Sequence, residues 1–386
     1  MVCVGSSLRP QTTRRPAVTH RTASTVLLPI HSAVQLPTTV GLDLSDRVSH
    51  FQVQRGDGVV LAAGKVATTR NDLTSLFESW RGCRVVIEAG GHSPWISRLA
   101  GACGMNVVIA NPRRVELISK SDRKTDRTDA ALLTELGRTN PHLLAPITHR
   151  SEAAQLDLTL LRARDELVCA RTSLINHVRG VLKSHGLRAP RCSADCFAQR
   201  AGAVLSCALA DALSPLLELI RSMTKSIRSL DGKIERLCVE RYPITQTLQQ
   251  IAGVGPLVSL CFVLTLDDCR RFRSSRDVGA YLGLIPRKRS SGASDPQLHI
   301  TKAGDRGMRR LLVIAANYIL GRFGPDCDLR RYGLKLAGDG KNSIAKKRAR
   351  IAVARKLAVL MHQLWRTNGV YDPLHAQKKR GELAVA

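Results

Sequence analysis

From Thr39 onward the chain advances in short apolar runs set between polar turns. Residues 40–44 form an apolar run holding one acid and read as a buried strand. Residues 48–53 alternate apolar with polar, the period of a second strand. A third, 58–66, follows the turn Gly56-Asp57-Gly58. The pattern then switches to a helical period over 71–80 and returns to a strand over 83–87, apolar apart from Arg84 and ending at Glu88. A helix over 94–103, a strand over 105–110 and a short helix over 112–118 follow. Strands alternating with helices predict an α/β layered domain.

A new apolar period (Ala130, Leu132, Leu133, Leu136) begins after Lys124-Thr125-Asp126-Arg127-Thr128-Asp129. It reads as a helix with Thr125 or Asp126 as N-cap. Asp126 and Asp129, three apart, then share a face. Beyond it the period becomes long and heavily charged over 151–187 and again over 206–240, with a Pro-, Arg- and Cys-containing break at 188–200. Two such helices predict an antiparallel hairpin or coiled coil, either a plain spacer or a dimerisation arm. A last domain begins near Tyr242. Within it, residues 248–256 read as a helix, a Gly-rich turn with Gly253 and Gly255, and a second helix. Such a helix-hairpin-helix can hold a phosphate on backbone N–H groups, or be an ordinary turn. Residues 281–310 are rich in Gly, Ser and basic residues, and from Leu311 the pattern is helical again. There Lys346, Lys347, Arg348, Arg350, Arg355 and Lys356 crowd one helix, with no acid between residues 341 and 366, which predicts a face that tracks phosphates.

The charge supports that reading. Lys and Arg outnumber Asp and Glu by 59 to 31 in 386 residues, a formal net charge of +28. An excess of this size implies a polyanionic partner, nucleic acid first. No apolar run is long enough to span a membrane. Aromatic content of 4% leaves the cores to Leu, Val, Ile and Ala. The 11 cysteines are scattered singly without a C-x-x-C pair, which excludes a disulfide framework and a zinc site and predicts buried thiols in a reducing cytoplasm. Residues 1–38 carry no Asp or Glu. They read as a disordered basic arm or as non-native residues from a start codon set too far upstream, with a transit peptide as the compositional alternative.

Four acids stand where an α/β sheet places ligands: Asp43 in the first strand, Glu88 at the end of a later one, Asp126 and Asp129 at a helix start. Hard oxygen donors suit Mg²⁺ or Mn²⁺, and a pair of such ions clamps the attacking and leaving oxygens of a phosphodiester displacement.

These acids fall within an ordered set of segments. They are Gly41-Leu42-Asp43-Leu44-Ser45, Val85-Val86-Ile87-Glu88-Ala89-Gly90-Gly91, Asn111-Pro112 and Arg123-Lys124-Thr125-Asp126-Arg127-Thr128-Asp129-Ala130. Ile251-Ala252-Gly253-Val254-Gly255, Phe272-Arg273-Ser274 and Tyr281-Leu282-Gly283-Leu284-Ile285-Pro286-Arg287 follow, then Ser290-Ser291-Gly292 and Ile300-Thr301-Lys302-Ala303-Gly304-Asp305. Together, from Thr39 to about Leu374, they resemble the RuvC-like DEDD transposases of the one-ten family of insertion sequences, the group of the Piv-like recombinases.

The resemblance implies a ribonuclease-H-like (RuvC-like) α/β catalytic domain over 39–148 and a helical hairpin or coiled-coil arm over 149–241. It further implies a mainly α, serine-bearing transposase domain with the helix-hairpin-helix-like motif over 242–374, and a tail over 375–386. It implies Asp43, Glu88, Asp126 and Asp129 as metal ligands and Ser291, next to Ser290, as nucleophile. Arg287, Lys288, Arg289 and Lys302 lie near that serine as candidate phosphate contacts, joined by Gly253, Gly255, Lys346, Lys347 and Arg348. The implied partners are DNA (element ends and target), a guide or bridge RNA, and further copies in a dimer or tetramer, in a bacterial cytoplasm and at the nucleoid when bound. Two segments depart from the family pattern: Gly90 stands where Thr is usual, with Ser93 in place of an aromatic, and Ala293-Ser294-Asp295-Pro296 replaces a Gly/Lys-rich stretch. The alternatives are an inactive nucleic-acid-binding copy and a metal-dependent nuclease that uses water. An actin-like sugar kinase is disfavoured, because no second Gly-x-Asp or Gly-x-Gly phosphate segment follows and a kinase needs no such basic excess.

Overall fold

The computed structural model describes residues 36–118, 125–292, 294–338 and 341–375. Arg123, Lys124, most of the N-terminal extension and most of the tail lie outside them. Contacts divide the chain into two units, Met1–Thr148 and His149–Ala386.

In the first unit the strands are β1 (Thr39–Asp43), β2 (Val48–Gln54), β3 (Val60–Ala67), β4 (Arg84–Glu88) and β5 (Asn106–Ala110). The helices are α1 (Arg70–Ser79), α2 (Ser93–Ala102), α3 (Pro112–Ile118) and α4 (Asp126–Thr139). The strands form one mixed sheet in the order β3-β2-β1-β4-β5. The hairpins β1–β2 and β2–β3 are antiparallel, whereas β1–β4 and β4–β5 are parallel. Alternation sends Val40, Leu42, Val85 and Ile87 to one face, packed with Leu73 and Phe77 of α1 and Ile96 and Ala100 of α2. Val86 and Ala110 turn to the other face, onto Val115, Leu133 and Leu144.

Helix α4 lies on that second face at unusually close range. A Cβ on Gly41 would sit 2.2 Å from Thr134 Oγ1, 2.4 Å from the Ala130 carbonyl oxygen and 2.5 Å from the Thr134 nitrogen. One on Gly137 would sit 2.2 Å from Val86 Cγ2. Thr134 also donates from its hydroxyl to the Gln52 carbonyl (3.2 Å), and Arg84 donates from Nη1 to the Gly137 carbonyl (2.6 Å). The helix therefore runs antiparallel to β1, with its C-terminal turn over the strand starts and its N-terminal turn over the strand ends. Thr125 is the N-cap, accepting from the Thr128 N–H, while the Thr128 hydroxyl accepts from the Thr125 N–H. This settles the choice between Thr125 and Asp126.

In the second unit α5 (Glu152–Ser184), α6 (Phe197–Gly202) and α7 (Cys207–Glu240) come first. Then follow α8 (Ile244–Leu248), α9 (Pro256–Leu266), α10 (Asp277–Tyr281), α11 (Arg306–Leu320), α12 (Asp328–Ala337) and α13 (Ser343–Thr367). Arg164 of α5 pairs with Asp231 of α7, and Arg171 with Thr224, so the two long helices are antiparallel. Their far end holds a small core of Ile175, Val178, Leu182, Leu213, Leu217 and Ile220, closed by Phe197 and Ala201 of α6. The break expected at 188–200 therefore contains the start of a packed helix. At the near end Ala154, Leu158, Leu161, Ile234 and Cys238 join the C-terminal core around α9, whose residues Val258 to Leu266 are all buried. Helix α11 begins at Arg306, five residues before the expected resumption, because the Asp305 carboxylate caps the Met308 N–H (2.7 Å).

One sequence reading is corrected. Cys103, Cys238, Cys261 and Cys327 are buried, but Cys169, Cys196 and Cys207 are exposed on the helical hairpin. On α13 Lys346, Lys347, Arg348 and Lys356 are exposed, Lys356 with its ammonium 4.1 Å over the Tyr332 ring, and Arg355 packs against Gly279. No helix among the described residues is long and apolar enough to cross a membrane.

The close approach at Gly41 makes a direct prediction. Gly41→Ala should destabilise the full chain by about 1–3 kcal/mol through overpacking, since helix backbone must yield. Gly90→Ala, whose Cβ meets nothing within 4 Å, should stay within about 0.5 kcal/mol of the parent. Equal shifts in thermal unfolding for the two variants would refute the close approach.

Candidate active site

Register and alternation place the acids. Leu42 lies opposite Ile87 in the parallel pair β1–β4, so Asp43 and Glu88 are the next residues along neighbouring strands. Asp43 shares a face with Gly41, and Glu88 with Val86, and this is the α4 face. The first turn of α4, with Asp126 and Asp129, reaches the same end of the sheet. Asp43, Glu88 and Asp129 are half-buried there and Asp126 is exposed. Among the described residues no three His, Cys, Asp or Glu side chains are gathered closely enough to hold a metal ion. The backbone supplies a shared edge and a shared face for four carboxylates rather than a finished ligand cage.

His50 was not singled out from the sequence. It lies opposite Asp43 in the antiparallel pair β1–β2, and its Nδ1 stands 3.6 Å from Asp126 Oδ2. That nitrogen is buried without a hydrogen-bond partner. The alternation of β2 assigns His50, Gln52 and Gln54 to one face, but nothing local says that α4 will cover it. A second link spans the connections after β1 and β4. The Trp95 indole N–H donates to His92 Nδ1 (3.2 Å), and His92 Nε2 is 2.9 Å from Asp46 Oδ1. An indole can only donate, so Nδ1 accepts and Nε2 carries the proton toward Asp46. In the departure at Gly90, an added Cβ would meet nothing within 4 Å. Ser93 instead binds the Gly90 N–H and carbonyl through its hydroxyl.

In the second unit Ser291 sits at the exposed tip of a loop. The Ser291 N–H donates to the Ser294 carbonyl (3.1 Å) and the Ser294 N–H to that of Ser291 (3.0 Å), with Gly292 at φ 55° in between. The limbs are joined at Pro286 and Ile300, and Arg287, Lys288, Arg289, Ser290 and Lys302 are all exposed. The base is tight. A Cβ on Gly283 would lie 2.2 Å from the Ala303 nitrogen, and the Arg309 guanidinium donates to the carbonyls of Leu282, Ala303 and Gly304. Gly253 takes φ 85° beside Tyr318 of α11, and Gly255 is the N-cap residue of α9. Several of the quoted segments serve the core. The Phe272 ring meets Tyr281 edge-on (5.2 Å) and His362 (5.5 Å), and the His362 nitrogens bind Ser275 and the Cys269 carbonyl.

Asp305 ends the last of those segments. Besides capping α11 it pairs with Arg162 of α5 and stands 3.7 Å from Arg150 Nη2. Arg162 lies across Gly307, where a Cβ would come within 2.0 Å of its Nη1. Burial alone would raise the Asp305 carboxyl, but the Met308 N–H and the Arg162 guanidinium outweigh it and hold it below the ordinary carboxylate range. A folded value below the unfolded one, about 4, gives stability that is complete above about pH 4 and fades as pH falls through the folded value. Asp305→Asn should thus cost about 1–2 kcal/mol near neutrality and flatten the acid limb of unfolding below about pH 4. Parallel stability-against-pH curves for parent and variant would place that linkage elsewhere.

Comparison with known proteins agrees with both units. A family model described as Transposase, of the DEDD type named for IS110, matches residues 40–186, and one described as Transposase IS116/IS110/IS902 family matches residues 245–332. The chain is 30% identical over 287 residues to a Pseudomonas aeruginosa protein named "Probable family 20 transposase", covering 73% of this chain and 83% of that one. It is 29% identical to the transposase for insertion sequence element IS1111A of Coxiella burnetii, covering 73% of this chain and 77% of the relative. It is 26% identical to the pilin gene-inverting protein of Moraxella lacunata, covering 75% and 81%. The chain belongs to the IS116/IS110/IS902 family of transposases, DNA-processing enzymes of insertion sequences.

Proposed function

We propose that this transposase cuts and rejoins DNA with a metal-dependent carboxylate site in its first unit and a serine nucleophile in its second. One observation carries the reading. The bare backbone at Gly41 seats α4 so that Asp126 and Asp129 open over the ends of β1 and β4, where Asp43 and Glu88 face the same helix. The strand order β3-β2-β1-β4-β5, with β2 antiparallel to both β1 and β3, supports a ribonuclease-H-like fold of the RuvC kind. Four carboxylate donors match the hard oxygen preference of Mg²⁺ or Mn²⁺, which would stabilise charge on the phosphorus oxygens and the leaving oxygen. Asp43 and Glu88 are fixed by strand register, whereas Asp126 and Asp129 ride on the first turn of α4.

The Ser291 hydroxyl is exposed on a loop whose base is locked, with Arg287, Lys288 and Arg289 beside it to hold a phosphate. Its Oγ bonds to phosphorus, the bond from phosphorus to one deoxyribose oxygen breaks, and the hydroxyl proton passes to that oxygen directly or through solvent. The products are a phosphoserine ester and a free hydroxyl end. Reversal with another end rejoins strands without an outside energy source. A guide RNA from the element and a dimer or tetramer sharing sites, as the family resemblance implies, complete the proposal, and the +28 charge supports a nucleic-acid partner.

Asp126→Asn and Asp129→Asn should lower cleavage of DNA carrying element ends at least about a hundredfold, with nucleic-acid binding nearly unchanged because cations dominate it. Full cleavage by both variants would remove the carboxylate site. On denaturing gels the parent should show DNA covalently attached to protein, and Ser291→Ala should not, whereas Ser290→Ala should retain the adduct. Free ends formed equally well by Ser291→Ala, with no adduct, would mean that water is the nucleophile.

A further inference from the structure

Midway along the helical hairpin, below its far core, the chain buries a cation. Arg171 of α5 is 8% exposed, and its Nη1 donates to Asp195 Oδ1 (2.7 Å) and Thr224 Oγ1 (3.0 Å). Its Nε is buried without a partner. Asp195 also accepts from Arg228 Nη2 (3.3 Å), and Thr224 donates its own hydroxyl proton to the Ile220 carbonyl. A cavity of about 270 Å³ opens beside this group, lined by Asp195, Arg221, Thr224, Lys225 and Arg228. Three cations and one carboxylate line it, and the buried Arg171 stands behind. The hydrogen bond from Arg171, with that from Arg228, holds the Asp195 carboxyl below its ordinary range, so the carboxylate is already committed to two guanidinium groups. Among the described residues Arg221 and Lys225 have no ion-pair partner.

We propose that this cavity binds a backbone phosphate of nucleic acid, which makes the helical hairpin part of the nucleic-acid grip of the transposase. Guanidinium and ammonium groups facing a cavity whose one carboxylate is already paired suit a phosphate. Arg221, Lys225 and Arg228 stand on one face of α7 and span about 10 Å along its axis, longer than one phosphate and suited to a strand laid across it. The assignment of nucleic acid over a free phosphate rests on the family's DNA handling and on the +28 charge. It does not depend on which residues cut.

The test uses the full chain with Arg221→Gln and Lys225→Gln combined. Its binding to a fluorescein-labelled duplex DNA and to a labelled hairpin RNA is followed against salt. For whichever nucleic acid crosses the hairpin, the slope of log affinity against log salt should fall by roughly two units, one for each phosphate that is no longer neutralised. The control pair Lys233→Gln and Arg236→Gln, exposed on the same helix but outside the cavity, should leave the slope unchanged. Equal losses from the two pairs would mean attraction by overall charge and overturn the site. Unchanged slopes for both probes would overturn it too. If calorimetry shows inorganic phosphate binding lost in the double variant while both slopes stay as in the parent, the site takes a free anion and the nucleic-acid assignment fails. Circular dichroism melting confirms that the double variant is folded. Loss of cleavage in Asp126→Asn leaves these slopes unmoved, so the two proposals fail separately.

Discussion

Nothing but hydrogen separates the backbone of α4 from that of β1 at Gly41. A strand and a helix normally keep their distance through their side chains, and here that spacing is removed at Gly41 and again at Gly137. The rest of the first unit follows. Thr134 can reach the Gln52 carbonyl, Arg84 can cap the Gly137 end, and the polar first turn of α4 is carried over the strand ends rather than out into solvent. A helix of the same sequence held further from the sheet would bury Leu133 less well and set its acids above the edge instead of upon it. In this unit packing distance and chemistry are one constraint.

Much of this was legible in the sequence, because it was written in short-range pattern. The five strands and the helices between them followed from apolar period and turn residues, and the antiparallel hairpin from two long charged periods. Thr125 and Asp126 were indistinguishable as caps because both side chains can accept an N–H. The Thr128 hydroxyl, which binds back to the Thr125 N–H, decides between them and has no signature outside three dimensions. His50 was invisible for a related reason. Its neighbours in space, Asp43 and Asp126, come from another strand and from a helix more than seventy positions on.

The remaining differences arise where composition stands in for geometry. A run of cations on α13 reads as uniform, yet a helix turns about 100° per residue, so Lys346, Lys347, Arg348 and Lys356 are exposed while Arg355 lies against Gly279. A break rich in Pro and Cys reads as loop, but Phe197 and Ala201 find apolar partners on both long helices and fold as α6. The segments between 281 and 305 read from the sequence only as rich in Gly, Ser and basic residues. Their base is tied by one guanidinium that binds three carbonyls, which no local pattern announces.

The Asp305 ion pair reaches beyond stability. One carboxylate caps α11 and grips Arg162 of α5, while Nη1 of that arginine occupies the place a methyl group on Gly307 would take. Arg162 thus meets two near neighbours, Asp305 and Gly307, from a distant part of the chain. A larger residue at 307 requires the Arg162 guanidinium to move aside. Without the arginine, Asp305 keeps the Met308 N–H and its neighbour Arg150. Bulk added at position 307 would therefore be felt first as a loosened Arg162–Asp305 pair, the tie between α5 and the start of α11, rather than as a clash of backbones.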